Sequence, residues 1–414
     1  MALRVWLPLN GDLKNKGLSN LRFANINATV SDTGKIGKCY SFDGDSYLTT
    51  PTSSVGNYTT SFTMSIWIKD EDVPATQTWR RLCGRGYHNQ YHFDIYDDGR
   101  IRFWTTQDGT DTEGHRTVAY STSSVKDGKW HHICGTFNGE KLRLYIDGIL
   151  EKTVACSEIY SIPETQMYIG WIANGYKFKG LLNDFRLYDE ALSTKEIKEL
   201  SKGLICHYKL NNLDFINTDV SGNGYNTTSV GTLTLNNESP RYDKSAIFTG
   251  SQLLNVSIGN VLANSKDFTI SGWFYHTDGT CYYAGDNANA ITVALEKNRF
   301  FIYDSSGTAH VGTWNATDNV WQYLTLVHNS TAQTLTLYIN GIQNQQISTN
   351  GTVYSKEVLN IGGRKNTGQF QGYMSDLRFY VTALSANDVK QLYEAFAIID
   401  NKGNSYSYEF IEEE

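Results

Sequence analysis

FKGLLNDFRLYDEALSTKEI, residues 178–197, returns as FQGYMSDLRFYVTALSANDV, residues 370–389. Working outward from this pair, the other pieces recur in the same order. SFTMSIW (61–67) answers DFTISGW (267–273), KWHHICGTF (129–137) answers VWQYLTLVH (320–328), and LRLYIDG (142–148) answers LTLYING (335–341). Matched landmarks stand about 200 residues apart, far beyond the roughly 20–50 residues of a solenoid unit, so each copy reads as a complete domain with its own core. The spacing differs slightly from one pair to the next, which places insertions between the strands. The division expected is 1–202, 203–396 and a tail, 397–414, that forms a hairpin or an assembly segment.

The chain has 414 residues, 13% of them aromatic, with 36 glycines, 5 prolines and 19% charged residues. That describes a turn-rich β protein and excludes a disordered one. A net charge of −7 without any Lys/Arg run argues against nucleic acid as a partner. No stretch approaches a membrane span, and the opening MALRVWLPLNG lacks the apolar run of a signal peptide. None of the 6 cysteines is matched by a cysteine in the other copy, so no shared disulfide framework is expected.

Leu142, Leu144 and Ile146, like Leu335, Leu337 and Ile339, recur at the period of two that marks a strand with one buried face. Asp147-Gly148 and Asn340-Gly341 suit type I′ hairpins, and Asp98-Gly99 marks a third. Many short strands between such turns predict an all-β fold of two tandem antiparallel β-sandwiches. Helix is expected only at the end of each copy, where Ser193 with Glu196 and Ser385 with Asp388 read as capping boxes for helices near 194–201 and 386–395.

Phe42-Asp-Gly44, the FTMSIW and WHHI runs, LYIDG, Tyr168-Ile-Gly170 and the long FxGxxxDFRLYxxALSxxEI motif together resemble the laminin-G-like, concanavalin A-like jelly-roll family, twice over. The resemblance implies a curved two-sheet jelly roll whose concave face or rim loops bind glycans or proteins, often with calcium. Asp219, Ser221 and Asn223 in DVSGNG offer alternating oxygens with glycine to permit the bend, and the family's rim site implies that Asp376, or Asp184 in the first copy, completes a structural calcium site. An Asx-turn is the competing reading of the same loop. Related glucanases carry an ExDxxE strand motif. This chain has no ExD, nor the GxSxG of a serine hydrolase, and reads as non-enzymatic.

The segment from Trp79 to Trp104 differs between the copies and mixes flat rings with hydrogen-bonding side chains, as sugar recognition requires. The expected ligand-binding residues are Trp79, Arg81, Tyr87, His88, Tyr91 and Trp104, joined by Trp171 and Tyr176. Tyr282, Tyr283 and Trp314 hold the nearest positions in the second copy. The function expected is recognition of a surface glycan or protein receptor, as a homo-oligomeric phage virion accessory protein in contact with other virion proteins. Its location would be the virion or the extracellular space. The rival readings are a secreted bacterial adhesion module and a purely architectural virion decoration.

Overall fold

The structure is a computed structural model that describes residues 3–71, 78–87, 90–110, 112–170, 177–279, 281–285, 293–354, 357–363, 369–394, 398–399 and 405–406. Contacts divide the chain into two units, Met1–Lys202 and Gly203–Glu414.

In the first unit one sheet has eight strands. Ile149–Ala155, Lys141–Ile146, His131–Phe137, Phe62–Asp70, Lys179–Tyr188, Cys39–Asp43 and Thr29–Ser31 lie side by side in that order, and Leu3–Leu7 pairs with Lys179–Tyr188. The second sheet runs Arg116–Ser124, Arg100–Thr106, Tyr91–Tyr96, Trp79–Arg85, Met167–Ile169, Tyr47–Thr49, Ala24–Ile26. Every pairing is antiparallel. Alternation sends Phe62, Met64, Ile66 and Ile68 of the first sheet and Tyr91, Phe93, Ile95, Ile101 and Phe103 of the second into one core. Phe62 stacks on Tyr91 with ring centroids 4.3 Å apart. Gly135 makes the close approach of the sheets possible, since a Cβ there would fall 2.7 Å from the Phe103 ring and 2.8 Å from Phe93.

The second unit repeats the plan. Its first sheet also has eight strands, with Thr234–Asn236, Ser245–Thr249, Phe370–Tyr380, Phe268–Gly279, Trp321–Asn329, Thr334–Ile339 and Ile342–Ser348 in order and Leu204–Tyr208 paired with Phe370–Tyr380. Its second sheet runs Thr228–Val230, Leu253–Val256, Leu359–Ile361, Cys281–Gly285, Val293–Glu296, Arg299–Tyr303, Ala309–Thr313. Both repeats are thus antiparallel jelly-roll sandwiches. Ile398–Ile399 pairs with Ser405–Tyr406 as a short ladder.

The turn chemistry acts as its residue types require. Asp147 and Gly148 have φ of 52° and 79°, Asn340 and Gly341 of 51° and 76°, the left-handed pair of a type I′ hairpin. Their side chains do more than tolerate that shape: Asp147 Oδ1 accepts the His132 amide and Asn340 Oδ1 the Tyr323 amide, each at 2.8 Å. At Asp98-Gly99 only the glycine has positive φ, 85°.

Helix Thr194–Ser201 carries the full capping box, with Glu196 N donating to Ser193 Oγ and Ser193 N to Glu196 Oε2 at 2.7 Å. Through Ile197, and with Leu192 just ahead of it, the helix covers Cys134, Tyr145 and Tyr188 on the face of the first sheet turned away from the core. Helix Ala386–Glu394 covers Trp273, Tyr323 and Tyr380 in the same way through Val389 and Leu392. Helix is not confined to these ends. Gly259–Ser265 is helical with no side-chain cap and is held by burial of Val261, Leu262 and Ala263, a tertiary cause invisible to capping signals. Cys39, Cys83, Cys134, Cys156 and Cys206 are buried free thiols.

Candidate functional site

In the first unit's second sheet, alternation turns His92, Asp94 and Tyr96 away from the core that Phe93 and Ile95 enter, and Arg102 and Trp104 away from the core that Ile101 and Phe103 enter. Register then sets Arg81 opposite Asp94, Asp94 opposite Arg102, and Arg102 opposite Tyr120, a single row across four strands. Trp79 opposite Tyr96 flanks this row on one side, and His92 opposite Trp104 flanks it on the other.

Asp94 is the hub. It accepts from Arg81 Nε, from Arg102 Nε at 2.9 Å and from Trp104 Nε1 at 2.6 Å. The Arg102 guanidinium stands 4.7 Å from the Trp79 ring and 4.9 Å from Trp104, and Arg81 lies 5.3 Å from Trp104. His92 packs on Trp104 at 4.8 Å. Arg81, His92, Asp94 and Trp104 are fully buried, Trp79 and Tyr96 half-buried, and Tyr120 is 40% exposed. Tyr96 and Tyr120 meet edge to face at 5.8 Å. Burial raises the Tyr96 hydroxyl pKa, as does its hydrogen bond with Tyr120, so the Tyr96 phenol stays a protonated donor near neutrality. The result is a rim of three rings, with Arg102 stacked behind Trp79 and Tyr96 and held by Asp94, and with Tyr120 packed on Tyr96. The equivalent row of the second unit is apolar: Ala294 faces Phe301, and Phe301 faces Val311.

The structure brings Trp79, Arg81 and Trp104 together as expected positions of one cluster, with Arg81 and Trp104 as its buried support. Tyr91 points the other way, into the core, and its hydroxyl donates to the Gly56 carbonyl at 2.8 Å. Tyr87 is 39% exposed. His88, Trp171 and Tyr176, and the Tyr283 side chain, lie outside the described residues. In the second unit Tyr282 is buried against Phe274 and Phe370, at 5.1 and 5.0 Å, and Trp314 is buried with its Nε1 donating to the Glu296 carbonyl at 2.7 Å. Neither offers a ring to a ligand, which corrects the expectation of an equivalent aromatic surface there. Asp94, Tyr96, Arg102 and Tyr120 were missed, although the alternation in FDIYDDGRIRFW carries the signal for the first three.

The donor chemistry around the expected calcium ligands does not fit a calcium ion. Asp219 accepts four backbone amides, from His207, Ser221, Gly224 and Tyr225, at 2.9–3.1 Å, which is the Asx-turn reading. Asn223 turns its amide nitrogen, not its oxygen, toward the Leu204 and Ile205 carbonyls. Asp376 accepts from His207 Nε2 and Arg241 at 2.7 Å and from Arg378 at 3.1 Å. Its burial works against ionisation, but the His207 hydrogen bond and the two guanidiniums outweigh that and bring its pKa down to about 2. Asp184 is bound by Trp6 Nε1 at 2.7 Å and by Arg186. Both aspartates have positive φ, 52° and 54°, and sit at strand irregularities. The D-x-R part of the repeated motif therefore builds a bulge whose carboxylate is neutralised by the arginine two residues on.

Together the two sandwiches and the ring-lined sheet face define a tandem protein of lectin-like jelly rolls. The chain belongs to the laminin-G family described as the concanavalin A-like lectin/glucanases superfamily, which matches residues 42–198 and 248–390. The pentraxin-related protein PTX3 of Homo sapiens is 28% identical over 178 residues, and that of Mus musculus 25%, in each case over 40% of this chain and 45% of the relative. The chain thus spans less than half the length of these curated relatives. Among solved structures, domain 4 of an extracellular arabinanase from Geobacillus stearothermophilus, in complex with arabinotriose, is 19% identical over 48% of this chain and 98% of its own, with a TM-score of 0.41. The binding domain of botulinum neurotoxin serotype D/C is 14% identical over 91% of this chain and 94% of its own, also at 0.41.

Proposed function

We propose that this chain is a non-enzymatic recognition protein that binds surface glycans on the rim formed by Trp79, Tyr96 and Tyr120. The observation that carries the proposal is the stacking of the Arg102 guanidinium on Trp79 and Trp104 with Asp94 behind it. Such an arrangement holds rings in place before a ligand arrives, which reduces the ordering cost of binding. Ring faces take up the C–H surface of a sugar, and the two phenols donate to its hydroxyls. A hydrolytic reading is disfavoured because the buried acids Asp70 and Asp94 of the first unit are bound by arginines rather than facing another acid: Asp70 is gripped by Arg80 at 2.6 and 2.9 Å, and Asp94 by Arg81 and Arg102.

The finer part of the proposal places the protein on a phage particle as a decoration or receptor-binding component. Its buried free thiols suit assembly in a reducing compartment. A glycan array probed with the full chain tests recognition. Hits that disappear with Trp79→Ala and weaken with Tyr120→Ala support it; an array without hits, or hits indifferent to both variants, overturns it. Co-purification with virions tests the setting.

A further inference from the structure

We infer that the second unit has a separate subsite for a single neutral sugar residue, in the cavity between the tip of the Val293–Glu296/Arg299–Tyr303 hairpin and the segment that follows Ala309–Thr313; the choice of ligand rests on the glycan-binding reading above. The cavity is half open to solvent, has a volume of about 300 Å³ and is lined by Lys297, Asn298, Asn315 and Ala316, the lower end of the size range of small-molecule sites.

Two backbone bonds hold its walls at fixed separation, Trp314 N to Asn298 O at 3.2 Å and Ala316 N to Lys297 O at 2.9 Å. Lys297 is tied down as well. Its Nζ meets Asp318 Oδ2 at 2.9 Å, and Asp318 Oδ1 meets Nδ1 of the buried His276 at 2.6 Å. Under one wall the Trp314 ring is buried and anchored through Nε1. The first unit fills the same place. There Ser124 Oγ donates to the Asp98 carbonyl at 2.8 Å and Lys126 Nζ to the Asp97 carbonyl at 2.9 Å. A Cβ on Gly99 would lie only 2.2 Å from Ser124 Oγ and 2.6 Å from Lys126 Cβ. These contacts pack the first unit's turn against the segment that follows its neighbouring strand.

Two carboxamides, each offering a donor pair and an acceptor, match adjacent hydroxyls of a pyranose. The ammonium of Lys297 is matched by Asp318, which leaves no unbalanced charge to demand an acidic sugar.

Saturation-transfer NMR of the full chain with the methyl glycosides of glucose, galactose, mannose and N-acetylglucosamine tests the subsite. At least one glycoside is expected to bind with a dissociation constant on the order of 1 mM. Its signal should persist in Trp79→Ala and, within that background, fall at least tenfold on adding Asn298→Ala/Asn315→Ala or Ala316→Trp, whose indole occupies the cavity. Unchanged melting temperatures exclude misfolding as the cause. Absence of signal from all four glycosides, or a signal that survives both cavity variants, overturns the subsite. Loss with Trp79→Ala alone assigns binding to the first unit and likewise overturns it, so the two sites stand or fall separately.

Discussion

Asp94 and Arg102 face each other across neighbouring strands of the first unit, joined at 2.9 Å and both buried, while Ala294 and Phe301 occupy the corresponding pair in the second. One fold thus tolerates at the same place either a charged cluster or an apolar contact. The copy with the charged cluster carries Trp79, Tyr96 and Tyr120 on that face, the other Phe301 and Tyr303. A buried ion pair adds little to stability beyond what a well-packed apolar pair supplies, so the charged cluster is not something the fold requires.

Removing one partner exposes the cost of that arrangement. Asp94→Ala leaves two buried guanidiniums without this carboxylate and should destabilise the first unit by about 3–5 kcal/mol. Asp94→Ala/Arg102→Phe, which installs the second copy's pair, should cost less than the sum of the two single changes, with a coupling energy of about 1–3 kcal/mol in urea denaturation. Additive single effects would show that the two side chains do not act as a unit.

The fold was legible because both copies spell it. The period-two runs, the Asp-Gly and Asn-Gly turns and the serine caps each have a local physical cause, and repetition removed accidental matches. The uncapped helix Gly259–Ser265 was not legible, since only burial sustains it. The site was legible in part. Trp79, Arg81 and Trp104 stood out as unusual residues, but the partners of a charged side chain depend on register, which sets Asp94 between Arg81 and Arg102. Aromatic composition also could not separate rim from core: Tyr91 lies in the same segment as Trp79 and faces the opposite way, and Tyr282 is a core residue.

The paired histidines His131 and His132 give the first unit a pH profile with losses on both sides. His131 is partly buried, which opposes its charge, but hydrogen bonds to Asp147 at 2.7 Å and Asp127 at 3.0 Å prevail and raise its pKa above 6.5. Its contribution is complete below 6.5 and is lost as pH rises through the raised value. His132, fully buried against Trp67, has its pKa lowered from 6.5 to about 4 by desolvation. Stability is therefore lost as pH falls from 6.5 toward 4, by roughly 3 kcal/mol from this group. The second copy carries Gln322 and Tyr323 at these positions. His132→Tyr should flatten the acid limb of a melting-temperature profile, and His131→Gln the alkaline limb. Identical profiles for all three proteins would refute the assignment.

Calcium should not matter to the second unit's fold. Asp376 is already bound by His207, Arg241 and Arg378, and Asp219 by four backbone amides. Adding millimolar calcium or EDTA is expected to leave the melting temperature unchanged, whereas Asp376→Ala should cost about 3–5 kcal/mol by stranding buried cationic groups. A calcium-dependent rise of several degrees, abolished by Asp219→Ala, would reverse the reading of this loop.

Gly84 tests how tightly the ring cluster is fixed. It sits opposite His92, and a Cβ there would fall 2.0 Å from His92 Nδ1 and 2.5 Å from the Tyr91 carbonyl oxygen. The His92 ring must move in Gly84→Ala, and Trp104, packed on it at 4.8 Å, is the residue that receives the push. Trp104 in turn holds Asp94 through Nε1 at 2.6 Å. A methyl group on the strand should thus cost about 1–3 kcal/mol by overpacking and weaken glycan binding at Trp79 without any contact to ligand. His92→Ala in the same chain should recover part of both losses, because it removes the obstructing ring while the backbone crowding at Tyr91 stays. Full stability of Gly84→Ala, or binding that is lost without recovery in the double variant, would show that the rim is positioned by something other than the His92–Trp104–Asp94 stack.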